Sequence, residues 1–146
     1  MASGVRAIFQ AQIIVPVALL IGVGFVPSIL YFVLALLIIF FASGGFAAIS
    51  ILVASFMKTR ERFMGIGQAI TMPLFFASNA LYPVRMMPSI IQEFALFNPM
   101  SYVVDAVRAL MISGDLVNLP IDLIAIALFD TVMFATASIS FKRIIE

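Results

Sequence analysis

The 146-residue sequence predicts an all-α fold: a polytopic membrane helix bundle with four transmembrane helices and two short outer interfacial or re-entrant helices. Three observations carry that expectation. Apolar residues make up 64% of the chain and charged ones 10%, where soluble domains hold about 45–50% and about 25%. Mean hydropathy is +1.24. The charges are also clustered, with none between Ala7 and Met57 or between Phe63 and Val84.

The same arithmetic excludes whole classes. Disordered chains are poor in aromatic and β-branched residues, and this one has 15 Phe. A net charge of +1 without a clustered basic face gives no nucleic-acid signal. Cysteine and histidine are both absent. That removes disulfides, Cys/His metal sites, thiol nucleophiles and imidazole acid–base chemistry. No cofactor or metal is expected on the chain, and no catalytic residue.

A crossing needs about 20 apolar residues, because a rise of about 1.5 Å each must cover about 30 Å of hydrocarbon. The uncharged run from Ala7 to Met57 holds two crossings, divided at Gly22, Gly24 and Pro27-Ser28, since Gly and Pro punctuate helices. Span one is read as 7–26 and span two as 28–57. Span three is read as 63–84, ending near Tyr82-Pro83, and span four as 119–141, stopping at Lys142-Arg143. Together they form one transmembrane domain over residues 1–146. The first apolar run exceeds the 7–15 residues of a signal-peptide core, so it is read as a span.

Four spans place both termini on one side. Arg6, Lys58, Arg60, Arg62, Lys142 and Arg143 collect there, against Arg85 and Arg108 on the other. Cationic loops stay in the cytoplasm, so both termini are expected to be cytoplasmic, in a multi-pass protein of the cell membrane.

Residues 85–118 break the pattern. Asn98-Pro99 is a helix start, with Asn as N-cap and Pro where its missing N–H costs nothing. Met100, Val103, Val104, Val107, Leu110 and Met111 then recur at helical spacing, with Ser101, Asp105 and Arg108 opposite. This predicts a helix over 99–112, with Gly114 just past its end and Asp105 and Arg108 near enough to pair. A shorter helix is read over 88–96. Such helices either cap the bundle or form an outer gate.

Asp130 falls near the middle of span four. A charged Asp there costs about 2.5–3.5 kcal/mol on insertion scales, so it should face the bundle interior and find a partner. It reads either as a functional carboxylate or as a structural one bonded to a neighbouring helix; Gln68, Gln10 and Gln12 are candidate donors. Small residues Ser43, Gly44, Ala47 and Ala48 suit close helix packing in span two.

The stretch Phe75-Phe76-Ala77-Ser78-Asn79-Ala80-Leu81-Tyr82-Pro83, then Met87-Pro88, then Asn98-Pro99-Met100-Ser101-Tyr102-Val103-Val104-Asp105-Ala106-Val107-Arg108-Ala109-Leu110 resembles the C-terminal signature of ABC-2 type transporter permeases. Daunorubicin-type drug exporters and polysaccharide or lipid exporters share this architecture. The resemblance covers spans three to six of a six-span family pattern. It implies either a fragment of a longer permease or a partner that supplies the rest.

The resemblance also implies ATP-driven export. A P-loop needs Gly-Lys, yet the only lysines, Lys58 and Lys142, follow Met57 and Phe141. ATP would therefore be bound by a separate ABC subunit, with Lys58, Arg60, Glu61 and Arg62 as the coupling surface. Those charges otherwise set topology and meet anionic lipid. Asn98, Pro99, Tyr102, Asp105 and Arg108 become the outer gate helix, and permease chains are expected to pair as homo- or heterodimers. The alternative is a non-transporting interaction or assembly protein, or an inactive permease remnant.

Overall fold

The computed structural model describes residues 2–57 and 59–145. Six helices follow in order: α1 Ala2–Leu20, α2 Ile29–Phe56, α3 Arg60–Phe76, α4 Ser89–Phe97, α5 Pro99–Arg108 and α6 Leu119–Ile145. A one-turn 3-10 helix, Val84–Met86, precedes α4, and a π-helical turn, Ala109–Ser113, prolongs α5. Among the described residues, three stretches are long and apolar enough to cross a bilayer: Ser3–Leu20, Ile29–Phe56 and Leu119–Ser140.

Local chemistry explains the boundaries, including those that differ from the sequence reading. Helix α1 ends at Leu20, not Val26, because the chain turns at Ile21-Gly22 and runs on without helix to Ser28. The Ser28 hydroxyl then accepts the Tyr31 N–H at 3.5 Å and caps α2. With 28 residues, α2 is about 42 Å long, more than the hydrocarbon core requires.

Helix α3 is displaced at both ends. It starts at Arg60, so Arg60, Glu61 and Arg62 form its first turn rather than a loop. It stops at Phe76 rather than near Pro83, giving 17 residues and about 26 Å. Pro73 inside it lacks an N–H and weakens the last turns. The Ser78 hydroxyl then takes the Phe75 carbonyl at 2.7 Å, a side-chain bond that competes with helix continuation.

The predicted helix over 99–112 keeps α geometry to Arg108 and then widens into the π turn. Gly114 closes it with φ +68° and an N–H bond to the Ala109 carbonyl at 2.8 Å. Only glycine takes that left-handed conformation without strain. Within the same turn the Met111 carbonyl accepts the Val26 N–H at 2.8 Å, which ties the α1–α2 connection to α5. Helix α6 continues past 142–143 to Ile145; the charges end its apolar stretch, not the helix.

Helix α2 is the centre of the bundle. Its buried stripe, Ala35, Ile38, Ala42, Gly45 and Ala48, repeats every three or four residues. Ala106 and Leu110 of the α5 segment and Ile126 of α6 complete a core whose α2 members are mostly small. Small faces let helix backbones approach closely where lipid removes the hydrophobic drive. A Cβ on Gly45 would collide with Oδ1 of Asp130 and stand 2.7 Å from the Phe129 ring. The close α2·α6 crossing therefore requires glycine at this point. Helix α3 leans on α2 and buries none of its residues.

Candidate functional site

The most densely bonded polar cluster is built where α3 ends and α5 begins. Asn98 is 4% exposed and serves two helices at once. Its Oδ1 accepts the Met100 N–H at 3.0 Å as N-cap of α5, and its Nδ2 donates to the Leu74 carbonyl of α3 at 2.6 Å. Pro99 occupies the first helical position, as the sequence suggested. Tyr102 donates its hydroxyl to the Leu96 carbonyl at 2.6 Å, holding the end of α4. Asn98→Ala removes a cap and orphans a carbonyl, an expected loss of about 1–3 kcal/mol. Thermal unfolding of the purified chain checks this; an unchanged midpoint would remove Asn98 as a joint.

One turn further along α5, the acid and the base converge on Asn79. Asp105 accepts a hydrogen bond from Asn79 Nδ2. Arg108 donates through Nη2 to the Asn79 backbone carbonyl at 2.8 Å. Asn79 Oδ1 in turn accepts the Val84 N–H at 3.3 Å. The expected Asp105–Arg108 pair is present at 3.8 Å, with each side chain 40% exposed. At that separation and exposure the pair contributes at most about 1 kcal/mol. The stronger ties are those to Asn79, which fasten the 77–83 turn to α5. Asn79 stood in the motif, but its role could not be read there: its partners are 26 and 29 residues away.

The other singled-out residues make no hydrogen bond to this latch. Arg60, Glu61 and Arg62 are exposed at the start of α3, and Lys58 lies outside the described residues. Asp122 is 5% exposed in the first turn of α6, where a helix N-terminus favours a carboxylate. Asp130 is 9% exposed, with Oδ1 against Gly45 and without a hydrogen-bond partner among the described residues. Gln68 instead lines a cavity of about 510 Å³ between α2 and α3, walled by Phe46, Val53, Phe63 and Phe75. Ser101 Oγ is likewise buried without a partner among the described residues.

A bundle with membrane-length helices, a pair of short helices and a polar latch that ties α5 to the 77–83 turn defines a polytopic membrane protein. A family model described as ABC-2 type transporter matches residues 1–112, and the chain belongs to that family. It is similar to the transport permease ycf38 of Cyanophora paradoxa, 31% identical over 129 residues, which is 80% of this chain and 41% of that protein. It is also similar to Nodulation protein J of Rhizobium meliloti, 25% identical over 116 residues, covering 80% of this chain and 43% of the relative. Nodulation protein J of Rhizobium leguminosarum bv. viciae is 24% identical over 128 residues, 84% of this chain and 49% of its own length. The chain thus spans less than half the length of these curated relatives. No solved structure matches it.

Proposed function

We propose that the chain forms part of the membrane-spanning permease of an ATP-driven ABC-2 exporter. The observation that carries this reading is the family match through residues 1–112, which takes in the Asn79, Asp105 and Arg108 latch. The sequence has no Gly-Lys step for a P-loop, which supports a reading in which ATP is bound and hydrolysed outside these residues, by an ABC subunit. The chain itself carries out no bond chemistry and holds no cofactor.

In this reading both termini face the cytoplasm, and the chain lies in the cytoplasmic membrane paired with another permease copy. The start of α3 then projects Arg60, Glu61 and Arg62 towards the ATPase, with Lys58 just before them. The latch lies at the outer end, where it holds α5 shut over the 77–83 turn as an outer gate. Opening it means breaking the Asn79 bonds together, since both Asp105 and Arg108 share that one partner.

Affinity purification of the tagged chain from its native membranes, with partners identified by mass spectrometry, tests this. A co-purifying P-loop ATPase is expected; the chain recovered alone would overturn the reading. Charge reversal by Arg60→Glu with Arg62→Glu is expected to cut ATPase recovery several-fold, because rim charges steer association. Undiminished recovery would move the docking surface elsewhere.

A further inference from the structure

Helix α3 touches α2 yet buries none of its own residues, because the cavity of about 510 Å³ runs between the two. Phe63, Gly67, Ile70 and Leu74 line it from α3 at three- and four-residue steps, and residues between Phe46 and Val53 line it from α2. At about 1.5 Å per residue, this cleft is about 18 Å long on α3, from Phe63 to Phe75, and about 10 Å long on α2. Spread over those lengths, its volume gives a mean width of about 6–8 Å. A helix with its side chains needs about 10–12 Å, so the cleft has no room for another span. An alkyl chain, whose carbons meet their neighbours at about 4 Å, fits. The length is also that of one leaflet, about half of the 30 Å hydrocarbon core. A Cβ on Gly67 would meet nothing within 4 Å, so no part of the chain fills the slot at its mid-length.

The lining register of α3 runs on into charge. One turn before Phe63 stands Arg60, exposed and without an ion pair among the described residues. Arg62 shares that turn, and Glu61 falls between them, off the lining register. Thr59 provides no side-chain cap for α3. The first N–H groups of a helix have no partner within it, and its dipole favours an anion there. Guanidinium groups bind phosphate through paired hydrogen bonds. A narrow apolar slot one leaflet deep with a cationic mouth therefore matches a single lipid chain below its phosphate.

We propose that the α2–α3 cleft holds one acyl chain of an anionic phospholipid, whose phosphate sits at Arg60 and the start of α3. The lipid is a resident part of the bundle and not cargo. It supplies the packing that α3 lacks against α2, and so steadies the turn that carries Arg60, Glu61 and Arg62. Its leaflet is the one on the cationic side of the bundle, where anionic headgroups collect. The proposal goes beyond the permease reading and does not rest on it.

The chain has no tryptophan, so Phe63→Trp places a sole indole on the cleft wall, one turn from Arg60. Its quenching is read in phosphatidylcholine nanodiscs in which brominated phosphatidylglycerol or brominated phosphatidylcholine replaces part of the lipid. Phosphatidylglycerol is expected to reach half-quenching at about a tenfold lower mole fraction, the scale of one hydrogen bond to a charged group. Arg60→Gln should abolish that preference, and Arg85→Gln, beyond the other end of α3, should keep it. Gly67→Leu fills the slot at mid-length and should also abolish the preference, although Arg60 stays. Equal quenching by the two lipids in the Phe63→Trp chain overturns the proposal, whether or not Gly67→Leu folds. A preference that survives Gly67→Leu is charge attraction at the surface alone, and overturns the cleft. An indole that neither lipid quenches means that a second copy or another chain covers the cleft, which overturns it as well.

Discussion

Gly45→Leu is expected to destabilise the bundle by about 3 kcal/mol, the upper part of the range for overpacked cores. Helix α2 meets α6 at this glycine, where even a Cβ collides with the Asp130 carboxylate and stands 2.7 Å from the Phe129 ring. A leucine must push the two helices apart or turn Asp130 out of its seat. The neighbouring glycine supplies the contrast. A Cβ on Gly44 meets only the edge of the Phe134 ring, at 3.1 Å, so Gly44→Ala should cost less than about 1 kcal/mol, as small shifts of a ring absorb it. Thermal unfolding of the purified variants checks both. Gly45→Ala combined with Asp130→Ala should recover part of the loss, because contacting residues couple. Equal midpoints for the Gly44 and Gly45 variants would show that α2 does not meet α6 at Gly45.

That pair of glycines marks where the sequence stops being legible. A small-residue patch in span two was visible, and so was its use in close packing. Which glycine faces Asp130 depends on the rotation of α2 about its axis, a property of the assembled bundle. The start of α5 was legible for the opposite reason. Asn98 capping, Pro99 at the first position and Gly114 past the end are local chemistry, complete within a few residues. Composition gave the membrane class, since apolar length is decided by bilayer thickness rather than by partners. The end of α3 was read too late because Pro is tolerated in membrane helices when other groups satisfy the freed backbone. Here the carbonyls at and beyond the helix end, rather than the one Pro73 frees, are satisfied from afar. Asn98 takes the Leu74 carbonyl across 24 residues, and Arg108 takes the Asn79 carbonyl across 29.

Those long-range ties make the second large effect specific to one segment. Asp105→Ala is expected to raise amide hydrogen exchange in residues 77–86 by about ten- to a hundredfold. That is the consequence of losing about 1.5–3 kcal/mol from hydrogen bonds to a charged group. The substitution strips Asn79 Nδ2 of its acceptor and Arg108 of its counter-charge. Asp105→Asn separates the two losses. It keeps an oxygen for Asn79 and discards only the charge, whose pairing at 3.8 Å on a half-exposed surface is weak. Its exchange should therefore stay within a few-fold of the parent. Exchange along α2, which meets α5 through Ala106 and Leu110 rather than through Asp105, should not change in either variant. If Asp105→Asn loosens the turn as much as Asp105→Ala, the ion pair rather than the Asn79 bond holds it. If neither variant loosens residues 77–86, the turn is fixed by Asn98 and the end of α3, and α5 is a cap rather than a gate.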